Sequence, residues 1–77
     1  MNNREVADIF SRIGDMMDIL GENRFKVLAY RRASENILSL GQDIHVYWQA
    51  ETLQEIPGIG KAIAEKIDEL LTTGRLE

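Results

Sequence analysis

A segment between two apolar stretches, residues 57–61 with the sequence Pro-Gly-Ile-Gly-Lys, has the composition of a phosphate-binding turn. Proline ends a preceding helix, while Gly58 and Gly60 permit backbone angles that other residues avoid and leave room for a ligand. If a helix starts at Lys61, the amide N–H groups of its first turn, including that of Ala62, have no internal acceptor and favour an anion. A plain tight turn between two helices has the same pattern, so both interpretations stay open.

Positive charge is concentrated in two parts of the chain. Residues 23–34 contain four basic residues and residues 56–64 contain one, and neither window contains an acid. Since these windows sum to +5 and the whole chain to −4, the remaining residues carry −9. Such segregation matters more to a phosphate than the total charge does, although chance clustering in a short chain is the alternative. The four basic residues of the first window are Arg24, Lys26, Arg31 and Arg32.

The composition excludes several other kinds of chemistry. The 77 residues include no cysteine and one histidine, which argues against disulfides, thiol catalysis and zinc sites built on these residues. No pattern of carboxylates suggests a pair of catalytic metal ions. There is no apolar run long enough for a membrane span, and the polar N-terminus lacks the apolar stretch of a signal peptide. We therefore expect a single soluble domain over residues 1–77, located in the cytoplasm.

Apolar residues at three- and four-residue intervals predict an all-α chain. A first helix is predicted from Asn3 to Leu20, with Asn2 and Glu5 as a capping pair and Gly21 just past its end. The predicted apolar stripe of this helix comprises Val6, Ile9, Phe10, Ile13, Met16, Met17 and Leu20.

A second helix is predicted over residues 24–40, with Asn23 as its N-cap and Gly41 as its terminator. Lys26 and Tyr30 are four residues apart, so their side chains are neighbours on the flank of this helix. The alternative for this pair is a lysine that extends along apolar surface beside a half-buried tyrosine. The predicted apolar stripe comprises Phe25, Ala29, Ala33, Ile37 and Leu40.

A short third helix is predicted after Asp43, which is a suitable N-cap residue. Tyr47 and Trp48 belong to this helix, and we expect their rings to close the small core. The single histidine, His45, is expected to be structural or solvated rather than a metal ligand.

The C-terminal third of the chain predicts one further turn and a last helix. Thr52 and Glu55 match a capping box, which predicts a helical turn before the proline. The last helix is predicted over residues 61–73, and Gly74 is its natural terminator. Its inward-facing residues are predicted to be Ile63, Ile67, Leu70 and Leu71.

Two segments of the chain resemble a known family. Residues 56–76, IPGIGKAIAEKIDELLTTGRL, contain a sequence that resembles the helix-hairpin-helix motif of DNA repair and replication proteins. Together with residues 21–34, GENRFKVLAYRRAS, they are similar to the N-terminal domain of family X DNA polymerases of the polymerase beta-like type. The resemblance covers nearly the whole chain in the right order. It implies a compact, all-α, four-helix domain with one hairpin at about residues 52–73.

The same resemblance implies a function in DNA repair. A domain of this kind binds gapped or nicked DNA and its 5′-phosphate during gap filling, without reading sequence. It also implies a polymerase body in the same chain after residue 77 and, for a bacterial or archaeal member, association with the nucleoid. The implied DNA-contacting residues are Phe25, Lys26, Tyr30, Arg31, Arg32, Gly58, Ile59, Gly60, Lys61 and Ala62.

The resemblance further implies a monovalent cation at the hairpin, either potassium or sodium. In the family, main-chain carbonyls hold this ion against a DNA phosphate, and the matching residues here are Gln54, Ile56 and Ile59. No other cofactor is implied.

A lysine nucleophile is a third implication of the resemblance. Some family members use a lysine that forms a Schiff base and removes a 5′-deoxyribose phosphate, and the matching residue is Lys66. Lys26 and Tyr30 match the supporting groups, but Ala62 replaces a basic residue of the motif. A solvated lysine paired with Glu69 is the alternative for Lys66. The surplus of acids leaves a third function open, a helical domain that binds another protein.

Overall fold

The computed structural model describes residues 1–74 and has four α-helices and one 3₁₀ turn, with no strand in that part of the chain. It confirms the predicted all-α, four-helix architecture. Two residues of the segment 56–76, Arg75 and Leu76, lie outside the described residues. No helix within residues 1–74 is long and apolar enough to cross a membrane. The elements are α1 (Asn3–Ile19), α2 (Arg24–Leu38), α3 (Ile44–Gln49), the 3₁₀ turn (Leu53–Glu55) and α4 (Lys61–Thr73).

The start of α1 has the predicted capping box. The Asn2 side chain accepts a hydrogen bond from the Glu5 amide at 2.8 Å, and the Glu5 carboxylate accepts one from the Asn2 amide at 3.4 Å. Gly21 follows the helix in the left-handed region with φ of +74°. Both ends of α1 therefore form as the local sequence predicts.

The end of α2 differs from the prediction. The helix stops at Leu38, two residues early, and Ser39 is its C-cap. The Leu40 amide then bonds back to the Ile37 carbonyl at 3.2 Å, which tightens the backbone and turns the partly buried Leu40 side chain against the core. Gly41 does not adopt positive φ, so its predicted role as terminator is wrong.

Three residues of the predicted apolar stripes are exposed instead of buried. Met16, Leu20 and Phe25 are 61%, 75% and 82% exposed. The core cluster takes its members from the first half of α1 and the second half of α2. The other ends of these two helices, which are joined by the turn at residues 20–23, extend beyond this cluster. The members that α1 and α2 supply to this cluster are Val6, Ala7, Phe10, Ala33 and Ile37.

Small residues let α1 and α2 approach closely. The buried Ser34 hydroxyl donates to the Ala7 carbonyl across the two helices at 2.7 Å. A Cβ at Gly14 would lie 3.1 Å from Arg31 Cγ, so this glycine is required by packing rather than by its backbone angles. The Asn3 side chain joins the start of α1 to the start of α3, because its Oδ1 accepts from the Ile44 amide at 2.7 Å.

The region of α3 confirms one predicted cap and contradicts another. Asp43 caps α3 by accepting from the His45 amide at 2.8 Å. Thr52 makes no side-chain cap. Its hydroxyl donates to the Tyr47 carbonyl at 3.3 Å and helps to close α3. Trp48 packs partly buried against the core, as does Tyr47, which agrees with the prediction. The Trp48 indole N–H also donates to Asp68 at 2.7 Å and fixes α3 against α4.

Candidate nucleic-acid interface

The chain reverses direction between the 3₁₀ turn and α4 at residues 57–60, here called the glycine turn. Gly58 has φ of +79° and is exposed, so the backbone at this position is left-handed and open to solvent. Ile59 is only 4% exposed, and its amide bonds to the Ile56 carbonyl at 3.0 Å. Ile59 therefore anchors the turn in the core.

Four exposed residues at the glycine turn have backbone amides that lack acceptors within the described part of the chain: Gly58, Gly60, Lys61 and Ala62. Gly60 is the N-cap of α4 but has no side chain to accept from the first turn. The first bond into this cap comes from Ala64, whose amide donates to the Gly60 carbonyl at 2.9 Å. The result is an exposed group of backbone donors at the positive end of a 13-residue helix.

The reason for glycine at position 60 differs from the prediction. Gly60 has φ of −87° and ψ of −176°, which is extended backbone that any residue adopts. A Cβ there would meet nothing within 4 Å. The absence of a side chain at this position therefore leaves the amides uncapped and the approach to them clear, while the turn itself depends on Gly58.

The glycine turn lies against the second half of α2. A Cβ at Gly58 would overlap the Asn36 side-chain nitrogen, and it would lie 4.0 Å from Arg32 Cβ. Arg32 is exposed and makes no ion pair within residues 1–74. Part of the basic window of α2 is thus next to the backbone donors, as a phosphate site requires.

Neighbouring arginines on α2 have different surroundings. Arg31 contacts Asp15 at 3.3 Å and Asp18 at 3.1 Å, both on α1. Arg24 pairs with the same Asp18 at 3.5 Å. Acids of α1 therefore offset two of the four basic residues of α2, and the role of Arg31 as a DNA contact stays a prediction.

The residues expected to surround a 5′-phosphate lie on two helices. Tyr30 is partly buried, and its ring lies 5.6 Å from that of Phe10. Lys26 on α2 and Lys66 on α4 are exposed, and no hydrogen bond or ion pair joins these two lysines to Tyr30 within residues 1–74. Phe25, 82% exposed, is accessible for stacking. That Lys26, Tyr30 and Lys66 form one pocket stays a prediction. The pairing of Lys66 with Glu69 also stays a prediction.

Comparison with known proteins agrees with this geometry. A model of the helix-hairpin-helix domain family matches residues 1–76. The chain belongs to this family. It is also similar to DNA polymerase lambda of Arabidopsis thaliana, with 34% identity over 74 residues. That alignment covers 96% of this chain but only 13% of the polymerase, so the chain spans a small part of its relative. The resemblance to family X polymerases drawn from the sequence is confirmed.

Two features of this helix-hairpin-helix domain were not predicted from the sequence: the contact of Asn36 with Gly58 and the close packing at Gly14. Asn36 follows Arg32 by four residues, so helical periodicity places it on the same side of α2. This four-residue spacing could have placed Asn36 beside Arg32. It points to the glycine turn only once the packing of that turn against α2 is known.

The predicted cation ligands have carbonyl oxygens with free bonding capacity. The Gln54 and Ile59 carbonyls accept no hydrogen bond within residues 1–74, and the Ile56 carbonyl accepts one, from the Ile59 amide. A carbonyl oxygen has two lone pairs, so Ile56 keeps one for another partner. Carbonyl oxygens are suitable ligands for a monovalent cation, and all three of these belong to the main chain.

Proposed function

We propose that this chain is the DNA-binding domain of a family X DNA polymerase and binds gapped or nicked DNA during repair. The observation that carries the proposal is the group of four uncapped amides at the exposed glycine turn, with Arg32 beside it. Membership in the helix-hairpin-helix family and similarity to a DNA polymerase support the same function. The same proposal includes a polymerase body in the same protein and association of that protein with the nucleoid.

The donors at the glycine turn explain why binding would not depend on sequence. Backbone N–H groups bind phosphate oxygens, which are the same at every nucleotide. The positive end of the α4 dipole adds a fixed partial charge. Since no side chain at Gly58 or Gly60 blocks the approach, a DNA strand can come close to the backbone.

The distribution of charge sets the orientation of the DNA. The chain as a whole carries −4, so most of its surface repels DNA. Acids of α1 pair with Arg24 and Arg31. Arg32, which lies beside the glycine turn, makes no ion pair within residues 1–74. DNA is therefore attracted to the side that carries the turn and repelled elsewhere.

A potassium or sodium ion is part of the proposed interface. The carbonyls of Gln54, Ile56 and Ile59 would hold it, and their donor type suits a monovalent cation. When bound, the ion supplies positive charge toward a DNA phosphate.

Removal of a 5′-deoxyribose phosphate is a second candidate function. Lys66 is exposed and follows Ala62 by one helical turn, so it continues the face that begins at the uncapped amides. In this reaction the free amine attacks C1′ of the ring-opened sugar, and loss of water forms the imine. Loss of a C2′ proton to solvent and cleavage of the C3′–O bond then leave the 5′-phosphate on the DNA. Water hydrolyses the imine, which releases the unsaturated sugar phosphate and the free lysine. Lys26 and Tyr30 would hold that phosphate.

Titration of gapped DNA, with and without a 5′-phosphate, tests the binding function. Fluorescence anisotropy at two salt concentrations is expected to show affinity that falls steeply with salt, because phosphate contacts release counterions. The 5′-phosphate is expected to tighten binding. Absence of binding at low salt would reject the proposal and favour a protein-binding domain.

Borohydride trapping on nicked abasic DNA tests the lyase function separately. Wild-type protein is expected to form a covalent adduct, and Lys66→Ala is expected to lose it. Lys66→Arg is the matched control, because it keeps the positive charge but cannot form the imine. If Lys66→Ala is trapped as well as wild type, Lys66 is not the nucleophile.

A further inference from the structure

The side chain of Asn36 occupies the space that a side chain at position 58 would need. A Cβ placed on Gly58 would overlap Asn36 Nδ2 and lie 3.6 Å from Asn36 Cγ. Asn36 is partly buried between α2 and the glycine turn. Its amide group is therefore held at the edge of the group of backbone donors.

The Asn36 amide makes no hydrogen bond to any described residue. The Asn36 amide atoms stay accessible to solvent, so they are free to bind a ligand or water. Nδ2, a donor, faces the turn, and the nearby amides of Gly58 and Gly60 are donors without acceptors as well. Several donors therefore lie close together at the glycine turn, which is the arrangement that an anion requires.

Arg32 provides charge for the same place. It precedes Asn36 by one helical turn, and its Cβ lies 4.0 Å from the point that a Cβ at position 58 would occupy. Unlike Arg31, it makes no ion pair with the acids of α1. An anion at the glycine turn would thus meet backbone amides on one side and the Asn36 amide with the Arg32 charge on the other.

We propose that Asn36 binds DNA: its Nδ2 donates to a phosphate oxygen held at the glycine turn. The inference rests on the proposed function, since it adds a ligand to that phosphate site. Asn36 thereby connects α2 to the interface formed by the turn. Its hydrogen bond to the phosphate is directional, whereas the attraction of Arg32 for the phosphate is mainly electrostatic. No catalytic step is assigned to it.

Two variants at position 36 test the inference on gapped DNA by fluorescence anisotropy. Asn36→Leu keeps the size and removes the donors, and a loss of about tenfold in affinity is expected for one hydrogen bond to a charged group. Asn36→Asp keeps the shape but places a negative charge beside the phosphate, so the loss is expected to be larger. Higher salt is expected to shrink the excess loss of Asn36→Asp, because screening weakens the repulsion.

The controls separate binding from folding. Gln42→Leu removes a different side-chain amide, on an exposed residue whose carbonyl accepts from Asn3 at the start of α1, and is expected to bind as wild type. Thermal unfolding of each variant shows whether it folds. If Asn36→Asp fails to fold, Asn36→Leu alone decides. A purely structural role would lower the melting temperature of Asn36→Leu and leave the affinity of the folded protein unchanged, which would overturn the inference.

DNA with and without a 5′-phosphate identifies the phosphate concerned. Equal loss on both substrates assigns Asn36 to an internal phosphate, and loss only on the phosphorylated DNA assigns it to the terminal one. Either result supports the contact. If wild type binds and Asn36→Leu binds equally well, the inference on Asn36 fails while the proposed function stands. If wild type does not bind, the proposed function fails first.

Discussion

Two turns of this domain use a left-handed glycine and yet have opposite properties. Gly21 joins α1 to α2 with φ of +74°, and Gly58 precedes α4 with φ of +79°. After Gly21, the Asn23 side chain caps α2 by accepting from the Phe25 amide at 2.7 Å. After Gly58, the cap of α4 is Gly60, which offers no side chain. The first turn satisfies most of its donors internally, while the second leaves four exposed residues with amides available to a ligand.

The two turns also differ in the residues that surround them. Nothing lies within 4 Å of a Cβ placed at Gly21, whereas one at Gly58 would overlap Asn36. Acids lie near the first turn, where Asp18 pairs with Arg24 and Arg31. Residues 56–64 contain no acid. The proposed binding site therefore differs from the first turn in its missing cap and in the absence of acids within residues 56–64, and not in its backbone conformation.

The largest effect is expected from adding a side chain at Gly58. Gly58→Ala combines a left-handed backbone with an overlap against the end of the Asn36 side chain, which can move aside, and we expect a loss of about 2 kcal/mol in the free energy of unfolding. Gly21→Ala is the matched control, because it has only the backbone cost, about 1 kcal/mol. Urea unfolding of both variants measures the difference. Equal losses would show that packing against α2 is unimportant.

The next effect is on binding and comes from restoring the missing cap. Gly60→Asp is expected to cap α4, raise stability by a few tenths of a kcal/mol and lower the affinity for gapped DNA by roughly thirtyfold. Gly60→Asn adds the cap without the charge and is expected to cause a smaller loss. Anisotropy and thermal unfolding check both variants. Affinity that stays at the wild-type value in both would contradict a role for the uncapped amides.

A smaller effect is expected from the adjacent arginines of α2. Arg32→Ala is expected to weaken DNA binding by about fivefold and to reduce its salt dependence, because one phosphate contact is lost. Arg31→Ala is expected to act mainly on stability, by at most about 1 kcal/mol, because the exposed pairs with Asp15 and Asp18 are lost. Parallel titrations and unfolding curves measure both. A reversal of these two patterns would place the DNA on the side of α1.

The smallest effect concerns a third cap, that of α3, which depends on pH. The amide and the side chain of His45 donate to Asp43 and hold the pKa of its carboxyl below the usual range. This capping contribution is therefore present above the ordinary aspartate pKa and is lost as the pH falls through the lowered value. Asp43→Asn is expected to reduce this acid dependence in unfolding curves measured across that range. An unchanged pH profile would contradict the assignment.

Local signals in the sequence predicted much of the helical framework. The caps at Asn2, Asn23 and Asp43 and the ends at Gly21 and Gly74 form as expected, because each involves residues within a few positions of one another. The prediction failed at Thr52, whose hydroxyl donates to the Tyr47 carbonyl of α3 and accepts no amide of the turn. It also failed for the exposed Phe25, since periodicity does not show where a neighbouring element ends.

The amino-acid sequence by itself determined the four helices, the uncapped glycine turn and the membership in the helix-hairpin-helix family, because these depend on local chemistry and on motif order. Only the tertiary structure decided which basic residues face that turn. Arg31 and Arg32 are adjacent and chemically identical, yet a rotation of about 100° on the helix separates them. Packing of α1 and of the glycine turn on different sides of α2 pairs one with acids and leaves the other beside Gly58.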